Sequence, residues 1–331
     1  MLRGRIERTR IDSRLLQGNR LGDPHVREVF VYVPPVEHRR LPIVLLLTGF
    51  ASTHHSVLGF NPWKPNTVER FERQVLAGEC PPAILVLPDC MTRWGGSQFL
   101  DSPATGPYQS YLAEEVIPHV DAHFPTIPER EARAVVGRSS GGFGALRLGM
   151  DRPELVAALG SHAGDAAFDV SMRPMLTRAA IAIDRAGGLA AFCERVVDGG
   201  PRDAFEFDAI FVLASSAAYA PQPEGPFPYC ALPFDPRTAE LDPAVWERWL
   251  AQDPLRLVPE RGKALGQMSL VYLDAGNRDE HGLHFAARLL DDALRQVGAN
   301  VDFEEFDGGH RGTSYRYETS LPRLIGALPA A

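Results

Sequence analysis

The sequence predicts an α/β fold: a mostly parallel central sheet flanked by helices, with an inserted helical and irregular cap. Three observations predict it. Short, nearly continuous apolar runs alternate with helix-period segments, which is how parallel strands covered on both faces read. Small and polar residues cluster directly after those runs, where open α/β sheets place their ligand sites. One long stretch, Gly164 to Gln267, carries no strong strand and breaks the alternation.

The elements follow in order. Arg5 to Ser13 alternates polar and apolar residues and reads as an edge strand. Val26 to Val33, rich in valine and aromatics, is stopped by Pro34-Pro35 and should pair with it antiparallel. The buried strands are Ile43 to Leu47, Ala83 to Leu87, Ala132 to Val136, Leu155 to Leu159, Leu270 to Leu273 and Val301 to Phe306. Tyr108, Tyr111, Leu112, Val116 and Val120 share a helical face, as do Phe285, Leu289, Ala293 and Leu294. Within the insertion, Met172 to Val197 and Ala204 to Tyr219 look helical, and the prolines from Pro221 to Pro236 make a stiff loop. The expected organisation is a core of residues 1–163 and 268–331, with 164–267 as a cap above the site.

Composition excludes several function classes. The chain has 331 residues, 45% hydrophobic and 23% charged, as an ordinary globular protein has. A net charge of −8 argues against nucleic acid as the partner, since phosphate binding needs a basic face. No apolar run is long enough to span a bilayer, and charges interrupt the first residues, so a cytoplasmic location is expected. The cysteines, Cys80, Cys90, Cys193 and Cys230, lack metal or redox spacing and read as buried free thiols. No feature of the sequence specifies an oligomeric state.

The chemistry is announced by Gly137-Arg138-Ser139-Ser140-Gly141, a G-x-S-x-G string. A strand leads in and a helical segment, Phe143 to Met150, leads out, the context of a nucleophile elbow. Glycines flank Ser139 because such a turn brings backbone too close for a Cβ. Ser140 would need glycine where Arg138 stands, so the register selects Ser139. A serine needs a base oriented by a carboxylate, and in α/β-hydrolases the chain order is Ser, acid, His. His310, in a glycine turn after the last strand, satisfies that order, whereas His162 precedes the candidate acids. Asp274, Asp279 and Glu280 all qualify as the acid by position. Two backbone N–H groups must face the developing oxyanion. Ser140 follows the nucleophile and Phe50 lies in the loop after Leu47, so these are the candidate donors.

With these pieces the chain resembles the putative esterase family of α/β-hydrolases, which includes esterase D (S-formylglutathione hydrolase), enterochelin esterases, feruloyl esterases and mycolyltransferases. The carriers include Val31-Tyr32-Val33-Pro34, Trp94-Gly95-Gly96-Ser97-Gln98-Phe99, Gly137 to Leu146, Asp274-Ala275-Gly276-Asn277-Arg278-Asp279 and Gly308-Gly309-His310. The resemblance implies that the second aspartate of D-x-G-x-x-D, Asp279, is the catalytic acid, and that Phe50 is the oxyanion residue. Arg138 replaces the histidine often found before the serine, and the segment after Gly164 is longer than in compact esterase D-like enzymes.

The expected function is serine esterase action on small-molecule or polymer carboxylic esters through an acyl-enzyme. An acyltransferase with the same triad, or a catalytically silent binding module, are the alternatives. Trp63, Trp94 and Phe99 are pocket candidates, with Phe211, Tyr219, Phe227, Tyr229, Trp246 and Trp249 divided between pocket and cap core. His54-His55, and His281 with His284, carry no recognised ligand spacing and read as solvated loop or helix-start residues. No metal and no cofactor is expected.

Overall fold

The computed structural model describes residues 2–36 and 39–329. Eight strands form one sheet: β1 Arg5–Asp12, β2 Val26–Val33, β3 Ile43–Leu47, β4 Ile84–Pro88, β5 Arg133–Arg138, β6 Ala158–His162, β7 Leu270–Gly276 and β8 Val301–Phe306. Their spatial order is β1-β2-β4-β3-β5-β6-β7-β8. The two N-terminal strands join antiparallel, β2 pairs antiparallel with β4, and all later pairs are parallel. The outer strand β1 is largely exposed, and Arg5, Arg8 and Arg10 on it guard the edge against pairing with another chain.

Apolar runs become strands because both faces of the sheet are covered. In β3, Ile43, Leu45 and Leu47 enter one core and Val44 and Leu46 the other. The first core is packed by α2 (Tyr108–Ser110, continuing through a π-helical stretch Tyr111–Val116 into Ile117–His123) and by α3 (Ser140–Asp151). The second is closed by α1 (Thr67–Ala77) and the C-terminal helix. An Asn66 capping box with Glu69 starts α1, and Gly78 in the left-handed region ends it.

The insertion is helical. It contains α4 (Arg173–Arg185), α5 (Leu189–Gly199), α6 (Ala204–Tyr219) and α7 (Pro243–Leu250). The helical stretch expected from Met172 to Val197 is divided into two helices, because Gly187 and Gly188 take φ of 89° and 110° and turn the chain. Helix α6 is buried along most of its length and forms the centre of a third core with Trp94, Leu100 and Phe143. The next helix, α8 (Pro254–Leu265), places Leu257, Val258 and Leu265 in the sheet's core instead. Residues 254–265, expected within the cap, thus pack with the sheet, and Asp253 caps that helix.

Helix α9 (Leu283–Gln296) departs from another expectation. Its buried face is Leu283, Ala286, Ala287, Leu290 and Leu294, while Phe285 and Leu289 are exposed. Helix α10 (Tyr317–Gly326) completes the second core. Cys80, Cys90, Cys193 and Cys230 are free and buried. Among the described residues, no helix is long and apolar enough to cross a membrane.

Candidate active site

The loops after β3, β5, β6, β7 and β8 converge at the carboxyl edge of the sheet, the place where such sheets gather ligand sites. Ser139 sits between β5 and α3 at φ 55° and ψ −125°, a conformation that L-residues adopt at a cost of about 1–3 kcal/mol. It is held there by Ser139 N–H donating to His162 O (2.8 Å) and Phe143 N–H donating to Ser139 O (2.9 Å). The two flanking glycines are sterically required. A Cβ at Gly137 would lie 2.2 Å from Gly141 O, and one at Gly141 would lie 2.2 Å from Leu47 O.

His310 follows β8. Its Nδ1 lies 2.8 Å from Asp279 Oδ2, and its backbone N–H donates to Glu280 Oε2 at 2.7 Å. The other Asp279 oxygen accepts the backbone N–H groups of His281 (2.9 Å) and Leu283 (3.4 Å). Burial pushes the Asp279 carboxyl up, but His310 and these two amides outweigh it and hold it below the usual aspartate range. Asp274, the alternative by position, has other partners. It meets His162 Nδ1 (2.8 Å), the Tyr272 hydroxyl (3.0 Å) and Arg316 Nε (2.9 Å) in a buried network.

Ser139 and His310 line one cavity of about 310 Å³. Phe50 lines it too. The Ala51 N–H donates to Gly95 O (2.8 Å), whereas the Phe50 N–H has no protein partner among the described residues. Ser140 is the first residue of α3, so its N–H is one of those a helix leaves unpaired at its positive end. The Phe50 ring packs edge-on against Phe207 (5.3 Å) and Phe211 (5.0 Å) of α6. This side chain thus anchors its loop to the cap, a role that reading the residue only for its backbone amide misses.

The pocket candidates are corrected. Trp63 is 86% exposed on the loop before α1. Trp94 is fully buried, with its ring 5.5 Å from that of Phe227. Phe99 packs against Gly144 of α3, where a Cβ would lie 2.6 Å from its ring. The apolar wall comes instead from Met172, Met175, Phe207, Phe211 and Leu283. Of the aromatics expected to divide between pocket and core, Tyr219, Trp246 and Trp249 are core. A second hollow of about 460 Å³ shares Ser171, Met175, Phe207, His281 and Arg311 with the cavity and leads outward past Arg178 and Phe285.

Four polar wall residues were missed by sequence reasoning: Asp165, His281, Arg311 and Ser171. His281 is not a surface residue of a helix start; its ring stands edge-on to His310 at 4.9 Å, and burial lowers its pKa. His284 and His54 are buried, and His281 is half-buried. Asp165 had one available signal, its place just after the end of β6. Its Oδ2 accepts the Ser140 hydroxyl (3.2 Å), and burial pushes its pKa up to about 7, partly offset by His310 and Ser140.

This raised pKa predicts a pH-dependent cost. From the ordinary value of 3.8 up to about 7, the folded protein keeps a proton on Asp165 that the unfolded chain has released. Stability from this group is full below pH 4 and lost as pH rises through 7, by up to about 4 kcal/mol. Asp165→Asn should therefore gain stability relative to wild type between pH 5 and pH 8 in urea titrations. Parallel wild-type and variant curves over that range would rule the effect out.

The sequence profile of the Putative esterase family matches residues 23–322. The chain belongs to this family. Among curated relatives, Esterase Rv1288 of Mycobacterium tuberculosis is 33% identical over 101 residues, 29% of this chain and 21% of that protein. The matched part thus spans about a fifth of the relative's length. Among solved structures, a ferulic acid esterase superposes with a TM-score of 0.60 at 17% identity, covering 98% of both chains. An S-formylglutathione hydrolase from Agrobacterium tumefaciens gives 0.59 at 17% identity, covering 98% of this chain and 96% of that one. At such identities the two structures establish a shared α/β-hydrolase fold. Family membership and a shared fold are what these likenesses show for this chain.

Proposed function

We propose that this esterase-family chain hydrolyses carboxylic esters in two steps through Ser139, His310 and Asp279. The observation that carries the reading is the 2.8 Å contact between His310 Nδ1 and Asp279 Oδ2, with His310 and Ser139 in the wall of one cavity. Asp279 holds the imidazole with Nδ1 protonated, which leaves Nε2 free as a base. His310 takes the Ser139 proton as the oxygen attacks the ester carbonyl, and the N–H groups of Phe50 and Ser140 receive the oxyanion. His310 then protonates the leaving alcohol. Water, deprotonated by the same nitrogen, releases the acid from Ser139.

The wall supplied by Phe50, Met172, Met175, Phe207 and Phe211 suits an apolar acyl or aryl group of modest size. The outer hollow, with Arg178, His281 and Arg311, then receives the alcohol part.

The test is a fluorophosphonate probe, which reacts only with an activated serine. One adduct per chain is expected, on the peptide carrying Ser139, and its formation should be blocked in His310→Ala. Labelling at another serine, or an unlabelled folded protein, would refute the reading.

A further inference from the structure

The helical turn His54–Val57 begins just beyond the Phe50 loop. His54 is only 5% exposed, yet among the described residues neither of its ring nitrogens has a hydrogen-bond partner. A buried imidazole in this state is costly and calls for an explanation. Its nitrogens face carboxylates too distant for a hydrogen bond: Nε2 is 3.7 Å from Glu28 Oε2, and Nδ1 is 3.9 Å from Asp89 Oδ1. The neighbouring His55 places its Nε2 3.4 Å from the same Glu28 oxygen. The two imidazole rings are 4.3 Å apart, and each packs on Phe30 at 4.8 Å. One ligand atom from each of Glu28, His54 and His55 lies within 4.8 Å of the other two.

We propose that Glu28, His54 and His55 bind one divalent transition-metal ion, with Zn²⁺ preferred and water in the fourth position. Two imidazole nitrogens and one carboxylate oxygen are a zinc donor set. Zinc–ligand bonds of about 2.0–2.2 Å on a tetrahedron put neighbouring ligand atoms about 3.4 Å apart. The separations of 3.4 and 3.7 Å about Glu28 Oε2 match this edge. The other Glu28 oxygen, Oε1, accepts Arg8 Nε (2.8 Å) and Arg10 Nη2 (3.4 Å), which leaves Oε2 for the ion. The His55 side chain is 57% exposed, so the fourth position opens to solvent. Asp89 stands behind His54 and is itself fixed by Arg27 Nη1 (3.2 Å) and the Met91 N–H (3.0 Å). With the ion on Nε2, the Nδ1–H would face this carboxylate, 3.9 Å away, and a small shift of the ring would complete that contact. The ion would tie the segment that follows Phe50 to strand β2 and so steady the Phe50 amide.

Neither His-His nor a glutamate on a distant strand is a motif, which is why the sequence raises no metal expectation here. The full chain, stripped with chelator and dialysed against micromolar free Zn²⁺, should retain one zinc per chain by elemental analysis. His55→Gln and Glu28→Gln, both at accessible side chains, should each weaken uptake about tenfold or more. Zinc should raise the Tm of wild type and not that of His55→Gln. The His281→Ala/His310→Ala double variant should keep its zinc, since those histidines line the separate cavity. No uptake by wild type, uptake unchanged in His55→Gln, or loss of uptake in the double variant would overturn the proposal.

Discussion

Replacing Ser139 with alanine is expected to lower kcat on a short p-nitrophenyl ester by roughly 10⁵- to 10⁶-fold. The missing oxygen is the atom that would form the acyl bond. The adjacent Ser140 cannot substitute, because its hydroxyl is turned to Asp165 Oδ2 at 3.2 Å. Stability should be nearly unchanged. Alanine keeps the Cβ, so the same backbone strain at φ 55° persists, and the Ser139 backbone bonds to His162 O and from Phe143 N–H remain. A Tm within about 2 °C of wild type, read beside the kinetics, separates lost chemistry from lost fold. A folded variant that keeps more than about a tenth of wild-type kcat would remove Ser139 from the mechanism.

The two aspartates at the end of β7 should behave oppositely. Asp279→Asn is expected to cost about 10⁴-fold in kcat with modest loss of stability. Its carbonyl oxygen can still accept the His281 and Leu283 amides, but its NH₂ would donate to His310 Nδ1. That moves the imidazole proton to Nε2, where a base is required. Asp274→Asn should instead destabilise the fold by about 3–5 kcal/mol, because it leaves buried His162 without its carboxylate and Arg316 with only the part-exposed Glu304 (3.0 Å). Its kcat, measured well below its Tm, should stay within about tenfold of wild type. Urea titration and steady-state kinetics on both variants decide the matter. A larger kcat loss at Asp274 would transfer the acid role to it.

Much of the candidate site was legible because local rules set it. The glycines at 137 and 141 follow from backbone crowding at one turn, so a five-residue string identifies the elbow. The choice between Asp274 and Asp279 was not legible from spacing. One ends the strand and the other follows it closely, and only the packing of Arg316, Tyr272 and His162 around the first shows where its charge is engaged. The resemblance to a known family pointed to Asp279 before any geometry did. The pocket failed for a related reason. Trp63, Trp94 and Phe99 were chosen for being large aromatics in loops, but aromatic type does not encode whether a ring faces a cavity, a core or water. Likewise, α9 offers more than one apolar stripe, and the sheet selected Ala286, Ala287 and Leu290 over Phe285 and Leu289.

By itself, then, the sequence determined the α/β layering, the succession of buried strands, and the turn that carries the proposed nucleophile. Those features depend on period, length and turn geometry, each contained within a few consecutive residues. Tertiary structure decided what depends on residues far apart in the chain. It brought Met175 and Phe207 into one cavity wall with Ser139, buried Asp165 against the Ser140 hydroxyl, and set Glu28 against His54 and His55. Such juxtapositions arise from how sheet and cap pack together, and no local pattern of residues records them.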